Sequence, residues 1–486
     1  MNPYKNLTLY FSICLIFIFG LIINRIYLGN FNFRFDTVDL FLSSWFIIFC
    51  IICFFLFLLE NKKKNQIPFF PLIVFYILIC YGFNFEFLNE WLQSTKKDVL
   101  TKSLLIINLA IISFTIGYFS FIKFFKYGLL KFEFKNYNHL VILALLFFLL
   151  IVFDRYANII PNYLNQIRIP VISISCIILY YRIITDNRKI NLLYLIPISI
   201  LIYFELLSSS YVFPTILCLQ YIIIYFIVRR KIPIISILFI LFIFVFLHTF
   251  KSEYRALLMH HASVAYEDPH ILENNPIIVS RTEVFKEVYL GKIYKKKKEN
   301  IISSELKYSQ AVLQSAENRR DNFRRLSHSF SSLLILVEKT PSEIEYLKGE
   351  TYVILISKLI PRIIWRNKPS DTSGNKIGKK YKALHKGDYE TSWNVPIINE
   401  AYINFGYSGV IFIMLILGIL VRFFTNFFSN KNFKNFETHI GICICSTTFF
   451  WESHLSLVYG GIYYQILFLY IVIISYFLFL KLLKKE

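Results

Sequence analysis

The sequence predicts an all-α polytopic membrane protein with about twelve transmembrane helices. Of its 486 residues, 56% are hydrophobic and 19% are aromatic, and the mean hydropathy is +0.55. Apolar runs of about 17–25 residues recur between charged residues, which is the length that crosses a bilayer. One long interruption, residues 251–400, holds 25 Lys and Arg and 18 Asp and Glu. We therefore expect a membrane bundle with a large, mostly helical polar loop outside it.

The apolar runs predict the spans in order, nine before the charged segment and three after it. They lie near residues 7–27, 38–59, 67–88, 101–122, 139–158, 168–185, 190–208, 211–228, 232–250, 401–421, 437–455 and 457–480. This predicts a bundle over residues 1–250, the loop over 251–400 and closing spans over 401–486. Phe and Ile dominate these runs while Gly and Ala are scarce, so close packing through small residues is not expected to be the rule.

The distribution of Lys and Arg in the short loops predicts the orientation. The loops on the side of both termini hold 20 of these residues, and the opposite short loops hold 7. Because cationic loops stay in the cytoplasm, both termini are predicted there, in a multi-pass protein of the cytoplasmic membrane. The large loop then faces the periplasm or the cell exterior. The net charge of +21 is explained by this asymmetry and by contact with anionic lipids, so nucleic acid is not an expected partner.

Cysteine usage gives no sign of a disulfide framework or a zinc site. All eight cysteines lie in apolar runs, including Cys50 and Cys53, which form a CxxC without a nearby histidine. We therefore expect no Cys-based metal or redox chemistry.

Two segments inside the loop are predicted helices that do not span. In Asp321–Lys339, apolar residues recur at helical spacing, which predicts an amphipathic helix that lies on the membrane surface or caps the bundle. Thr351–Ile360 is apolar but too short to cross, and Pro361 ends it. The lysine-rich stretch 281–310 is predicted to be a solvated insertion.

Cationic residues at the predicted interface are candidates for binding phosphate. Guanidinium groups bind phosphate oxygens in pairs, and a departing diphosphate needs its charge neutralised. The candidates, several of them in the string PRIIWRNKP, are Arg324, Arg325, Arg362, Arg366 and Lys368. The alternative is that they contact only anionic lipid headgroups.

Polar residues also begin the next predicted span. Glu400, Tyr402 and Asn404 occur there, and Tyr402 and Asn404 are candidates for binding the substrate. A carboxylate at this boundary could act as general base for a sugar hydroxyl, cap a helix or pair with an arginine. His328 is a second candidate base. Glu452 and His454, near the outer end of their span, indicate either a cavity that opens outward or interfacial snorkelling.

The strings in this region resemble a known family. Over Thr340–Val410 the chain reads TPSEIEYLKGETY, IPRIIWRNKPSDTSGNKIGKKY and TSWNVPIINEAYINFGYSGV, which is similar to the Wzy-type oligosaccharide repeat-unit polymerases, also called O-antigen polymerases. The apolar regions match in hydropathy only, and the insertion 281–310 is not part of the pattern.

The resemblance implies a metal-independent, inverting membrane glycosyltransferase without a cofactor. Such an enzyme moves the growing glycan from undecaprenyl diphosphate to the non-reducing end of an incoming lipid-linked repeat unit, at the outer face of the membrane. The polymer would be an O-antigen, a capsule or an exopolysaccharide. The implied fold is that of the O-antigen ligases and C-type glycosyltransferases. Membrane lipids and a chain-length regulator are the further partners that it suggests.

Site residues carry over only where the strings match. The resemblance gives diphosphate binding to Arg362 and Lys368, with Arg324 and Arg325 as weaker matches, and activation of the acceptor to Glu400. Arg366 departs from the pattern, because relatives often have proline at that place. An O-antigen ligase and a lipid-linked-sugar flippase are the alternative functions.

Overall fold

The structure is a computed structural model, in which thirteen α-helices account for most of the described residues. The structure describes residues 37–61, 69–82, 96–120, 137–157, 165–186, 193–207, 212–229, 231, 233–249, 328–360, 364–365, 367, 373–384, 392–428, 441, 443–444 and 453–483. The helices are α1 (Thr37–Asn61), α2 (Phe69–Gly82), α3 (Lys97–Ser120), α4 (Tyr137–Ala157), α5 (Asn165–Thr185), α6 (Leu195–Leu207), α7 (Val212–Arg229), α8 (Ile234–Thr249), α9 (His328–Lys339), α10 (Glu350–Leu359), α11 (Ser373–Lys380), α12 (Ile397–Phe428) and α13 (Leu455–Leu483).

The helices confirm a helical membrane protein. Five stretches within them are long and apolar enough to cross a membrane: Phe41–Glu60, Lys97–Ser120, Arg168–Thr185, Ile397–Asn426 and Leu455–Leu478. Shorter apolar stretches occur in α2, α4, α7 and α8. The total of about twelve spans stays a prediction, because the first predicted span and most of the span near 437–455 lie outside the described residues.

The chain divides into two compact units. The first unit combines residues 1–174 with 326–486, and the second comprises residues 175–325. The first unit therefore joins the early helices to the end of the large loop and the closing spans.

Within the first unit, α1 and α3 run parallel, and polar contacts join them at intervals of two helical turns of α3. The contacts are Thr101 Oγ1 donating to Asp39 Oδ1 (2.6 Å), Asn108 Nδ2 donating to the Leu42 carbonyl (3.0 Å) and Thr115 Oγ1 lying 3.1 Å from Cys53 Sγ. Cys53 and Cys50 are buried in α1 as free thiols. Such hydrogen bonds fix the register of two otherwise apolar helices.

Helices α3 and α12 come into close backbone contact at two glycines, one on each helix. A Cβ on Gly117 would overlap the Leu415 carbonyl oxygen, and a Cβ on Gly418 would overlap the Phe114 carbonyl oxygen. Small residues let two membrane helices bring their backbones together. This pair is an exception to the expectation that small-residue packing is not the rule, because one glycine on each helix suffices for a close approach.

A buried ion pair joins the far ends of α1, α3 and α12. Arg422, 1% exposed, donates from Nη1 to Glu60 Oε2 at 2.9 Å and from Nη2 to Glu60 Oε1 at 2.5 Å. Its guanidinium lies 5.0 Å from the centre of the Tyr118 ring. A charge buried among helices needs such partners. The three helices consequently end on the same side, which agrees with the alternation of the predicted spans.

Helix α9 packs against the bundle with its apolar face. Phe330, Leu333, Leu334, Leu336 and Val337 are buried, and the helix contacts α2, α3 and α12. Of the two predicted placements of this amphipathic segment, the described contacts therefore favour the cap. Helix α10 is the short apolar segment of the sequence prediction; it ends at Leu359 and packs against α13 and α12.

Candidate active site

The described part of the candidate site surrounds the first turns of α12. Four of the nine predicted site residues are there: His328, Glu400, Tyr402 and Asn404. The other five lie outside the described residues, and their role in diphosphate binding stays a prediction: Arg324, Arg325, Arg362, Arg366 and Lys368.

Helix α12 is interrupted by a kink at Gly406. This residue has φ 66° and ψ −147°, a conformation that is essentially restricted to glycine. In an unbroken helix the carbonyls of Ile403 and Asn404 would accept from N–H groups four residues later. Here they accept from the N–H groups of Leu347 and Lys348, at 2.9 and 3.1 Å. The kink thus supplies backbone acceptors to a distant segment.

We call residues 340–352 together with residues 399–409 the kink junction. Asn404 lies at its centre, fully buried, with every polar atom of its side chain engaged. Its Oδ1 accepts from the Gly349 N–H at 3.0 Å, and its Nδ2 donates to Thr351 Oγ1 at 2.8 Å and to the Glu400 carbonyl at 2.7 Å. Asn404 therefore fixes the start of α10 on α12.

Tyr402 also belongs to the kink junction. Its hydroxyl donates to the Thr340 carbonyl at 3.0 Å, and its ring packs edge-on against Tyr346. The side chain is almost fully buried. The sequence predicts Tyr402 and Asn404 as substrate-binding residues, and their described contacts are all to the protein itself.

A second glycine of the kink junction, Gly349, also has a positive φ and lies close to the opposite segment. Gly349 has φ 92° and precedes α10. A Cβ there would lie 3.0 Å from Phe405 Cζ, and a Cβ on Gly406 would lie 3.0 Å from Tyr346 Oη. Both glycines thus combine a left-handed φ with a close approach between the two segments.

The Glu400 carboxylate lies at the N-terminus of α13. Glu400 is 0% exposed, and its Oε2 accepts from the Leu455 N–H at 2.7 Å. Leu455 is the first residue of α13, so the carboxylate meets both an N–H without an intrahelical acceptor and the positive end of the helix dipole. Of the three roles that the sequence leaves open for Glu400, helix capping is the one its described contact supports.

The hydroxyl of Tyr352, in α10, interacts electrostatically with the Glu400 carboxylate. Burial raises the pKa of the Tyr352 hydroxyl well above its usual range, and the negative charge of Glu400 raises it further. The hydroxyl is buried, and no described residue forms a hydrogen bond with it. Sequence reasoning missed Tyr352, because a tyrosine in a short apolar run carries no signal of its own.

His328 begins α9 and contacts the segment that precedes α12. It is half-buried, and its Nε2 lies 3.2 Å from the Asn394 carbonyl oxygen. A carbonyl can only accept, so Nε2 carries the proton of this hydrogen bond. In the neutral ring Nδ1 then bears the lone pair that can take up a proton.

Asn399 connects α9 to the bundle and was also missed. Its Nδ2 donates to the Ser329 carbonyl at 2.9 Å and to Ser332 Oγ at 2.8 Å, and its Oδ1 accepts from the Tyr81 hydroxyl at 2.9 Å. Asn399 precedes Glu400 in the sequence, so its place in the string NEAYINFG is the signal that could have found it.

Apolar side chains are exposed on α10 and at the two described residues 364–365 that follow it. Val353 and Ile356 are 64% and 66% exposed, and Ile364 and Trp365, within the string PRIIWRNKP, are exposed as well. In a membrane protein such a surface suits acyl chains, with tryptophan at the headgroup level.

Comparisons with known proteins add one match. A family model described as a domain of unknown function (DUF8712) matches residues 281–485, which include the kink junction, α12 and α13. No curated protein and no solved structure matches the chain. The fold and the apolar helices thus define a helical membrane protein, and function must be argued from the site.

Proposed function

We propose that this protein polymerises lipid-linked oligosaccharide repeat units at the outer face of the cytoplasmic membrane. The observation that carries the proposal is the kink junction, in which TPSEIEYLKGETY and NEAYINFGYSG are joined by hydrogen bonds around Gly406 and the buried Asn404. These are two of the three strings on which the resemblance to the polymerases rests. Their mutual packing supports reading them as one functional feature rather than as two accidental matches.

The third string, PRIIWRNKP, follows α10 directly. The kink junction fixes the start of α10 through the hydrogen bond from the Gly349 N–H to Asn404 Oδ1. In the proposal Arg362, Lys368 and Arg325 hold the donor diphosphate. The exposed apolar side chains of α10 suit the polyprenyl chain.

The reaction exchanges one bond at the anomeric carbon of the donor. The acceptor hydroxyl oxygen forms a bond to that carbon from the face opposite the diphosphate, so the anomeric configuration inverts. The bond between the carbon and the diphosphate oxygen breaks, and undecaprenyl diphosphate leaves with the electron pair. The cationic side chains stabilise the charge that develops on the leaving group.

We assign His328 as the general base that takes the proton from the acceptor hydroxyl. Glu400 is assigned a positioning role. His328 is half-buried and follows the candidate arginines, and its Nδ1 can accept a proton when Nε2 donates to Asn394. Glu400 is fully buried, and its Oε2 accepts from the N-terminus of α13. This reverses the order of preference that the sequence alone suggests.

The test uses purified full-length protein in lipid with a lipid-linked repeat unit as substrate. The wild type is expected to give a glycan ladder on a gel. His328→Asn is expected to slow formation of the ladder at least a hundredfold, as the removal of a general base does. Arg362→Ala is expected to slow it by a similar factor, because the leaving diphosphate loses a cation that stabilises its charge. His270→Asn, a histidine outside the matching strings, is the control. A normal ladder from His328→Asn contradicts the assignment of the base, and one from Arg362→Ala contradicts the polymerase proposal.

The same assay separates the alternatives. A ligase would transfer a finished glycan to a lipid acceptor and would leave free polymer when inactivated, whereas loss of a polymerase leaves single repeats. A flippase would move the lipid-linked unit across the bilayer without making a glycosidic bond.

A further inference from the structure

The second unit contains a cavity whose described lining includes none of the candidate site residues. It has a volume of about 430 Å³ and lies at the ends of α5 and α7. Its lining residues are Ile183, Ile184, Tyr221, Tyr225, Arg229 and Lys231. We call it the basic cavity.

The lining combines two cations with an aromatic and aliphatic wall. Arg229 and Lys231 contribute positive charge, and none of the described residues that line the basic cavity is acidic. The closest acidic residue in sequence, Asp186, forms an ion pair with Arg182 at 2.8 Å. The Tyr221 ring packs edge-on against Tyr180 at 5.4 Å, which fixes this part of the wall. The chemistry therefore suits an anion that carries an apolar portion.

The position of the basic cavity suits the boundary between headgroups and acyl chains. Arg229 is the last residue of the apolar helix α7, and Lys231 shortly precedes α8. On α8, Ile235 and Phe242 are 85% and 70% exposed. The charge count predicts that both loops beside the cavity face the cytoplasm.

We propose that the basic cavity binds the phosphate headgroup of an anionic phospholipid in the cytoplasmic leaflet. Arg229 and Lys231 would bind the phosphate, the two tyrosine hydroxyls would contact other headgroup oxygens, and the acyl chains would lie along the exposed face of α8. Basic pockets between membrane helices on the cytoplasmic side are recurring sites for such headgroups. A soluble phosphate would use the cations but gain nothing from the apolar wall.

The experiment measures lipid binding to the purified full-length protein in a neutral detergent. Phosphatidylglycerol, phosphatidylcholine and inorganic phosphate are titrated separately and bound molecules are counted by native mass spectrometry. We expect phosphatidylglycerol to bind more tightly than the other two. In Arg229→Gln/Lys231→Gln its affinity should fall about thirtyfold, the loss expected when two interfacial cations are removed. The control Lys481→Gln/Lys484→Gln, which removes two cations predicted on the same side, should bind like the wild type.

Equal binding of phosphatidylcholine, or an equal loss in the Lys481/Lys484 control, would overturn the proposal in favour of unspecific lipid contact. Binding of inorganic phosphate as tight as that of phosphatidylglycerol would overturn it in favour of a soluble anion. If the double variant does not fold, Lys231→Gln replaces it, because Lys231 is exposed and lies outside the helices. That variant should bind about fivefold more weakly, and unchanged affinity would overturn the proposal.

Discussion

Glu400 binds the N–H of Leu455 through a fully buried carboxylate, so its charge lies where the dipole of α13 is positive. Replacement by glutamine keeps the size and one acceptor oxygen but removes the charge. We expect Glu400→Gln to lower the free energy of unfolding by about 1–2 kcal/mol, the range for a charged group at a partly or fully buried helix end. Thermal unfolding of the purified full-length protein measures this.

The exposed Glu343→Gln is the matched control, and its melting temperature should equal that of the wild type. A Glu400→Gln protein that melts like the wild type but makes no glycan ladder would assign Glu400 to chemistry instead of capping.

Tyr352 has a buried hydroxyl that forms no hydrogen bond with any described residue. An unsatisfied buried hydroxyl costs free energy, so Tyr352→Phe is expected to keep or raise stability at neutral pH, by up to about 1–2 kcal/mol.

The Tyr352→Phe variant should also respond differently to alkaline pH. The pKa of Tyr352 is raised in the folded protein by burial and by Glu400, whereas the unfolded side chain ionises at about pH 10. This contribution to stability is therefore fully present below pH 10 and is lost as the pH rises above it.

Melting temperatures of both proteins between pH 7 and pH 11 provide the measurement for Tyr352. The wild type should lose more stability than Tyr352→Phe across the upper part of this range. Identical pH profiles, or a large loss of stability in the variant at neutral pH, would show that the hydroxyl has a partner.

At the scale of helices, the kink at Gly406 depends on a conformation that other residues rarely adopt. We expect Gly406→Ala to destabilise the protein by about 1–3 kcal/mol, because alanine at φ 66° and ψ −147° is strained and its Cβ would meet Tyr346. Gly461→Ala is the control, since a Cβ on Gly461, inside α13, meets nothing within 4 Å. The control should be neutral or stabilised by about 0.5–1 kcal/mol. Equal melting temperatures for the two variants would contradict a structural requirement for the kink.

Most of the helices could be predicted from sequence, whereas the contacts of the site could not. The apolar run that Pro361 ends became α10, and the stripe containing Phe330 became the buried face of α9, because helical periodicity is a local signal. The Glu400–Leu455 contact and the docking of Leu347 on Ile403 join segments 55 or more residues apart. Nothing local specifies such pairs, so Glu400 could be placed at a helix entry but not given its partner.

At the scale of the whole molecule, two polar contacts fix which helix ends share a side. Arg422 binds Glu60 at one end of α12, and Asn399 binds Tyr81 near the other end. The start of α13 lies beside the start of α12 through Glu400. Both helices thus run in the same direction, which agrees with one further predicted span between them. The positive-inside rule then predicts which side is cytoplasmic.

Cysteine labelling in one series of variants tests which helix ends share a side and which side is cytoplasmic. In a variant whose eight native cysteines are replaced, single cysteines are introduced as Lys63→Cys, Lys431→Cys, Lys96→Cys and Ser392→Cys. A membrane-impermeant maleimide added to intact cells should label the last two, whereas the first two should react only after permeabilisation. If Lys63→Cys and Lys431→Cys reacted from different sides, the shared side implied by the Glu60–Arg422 ion pair would be wrong. If all four single cysteines showed the opposite labelling pattern, the arrangement of the helices relative to one another would still be supported. The loop from 251 to 400 would then face the cytoplasm, which would remove the outer-face location on which the polymerase proposal depends.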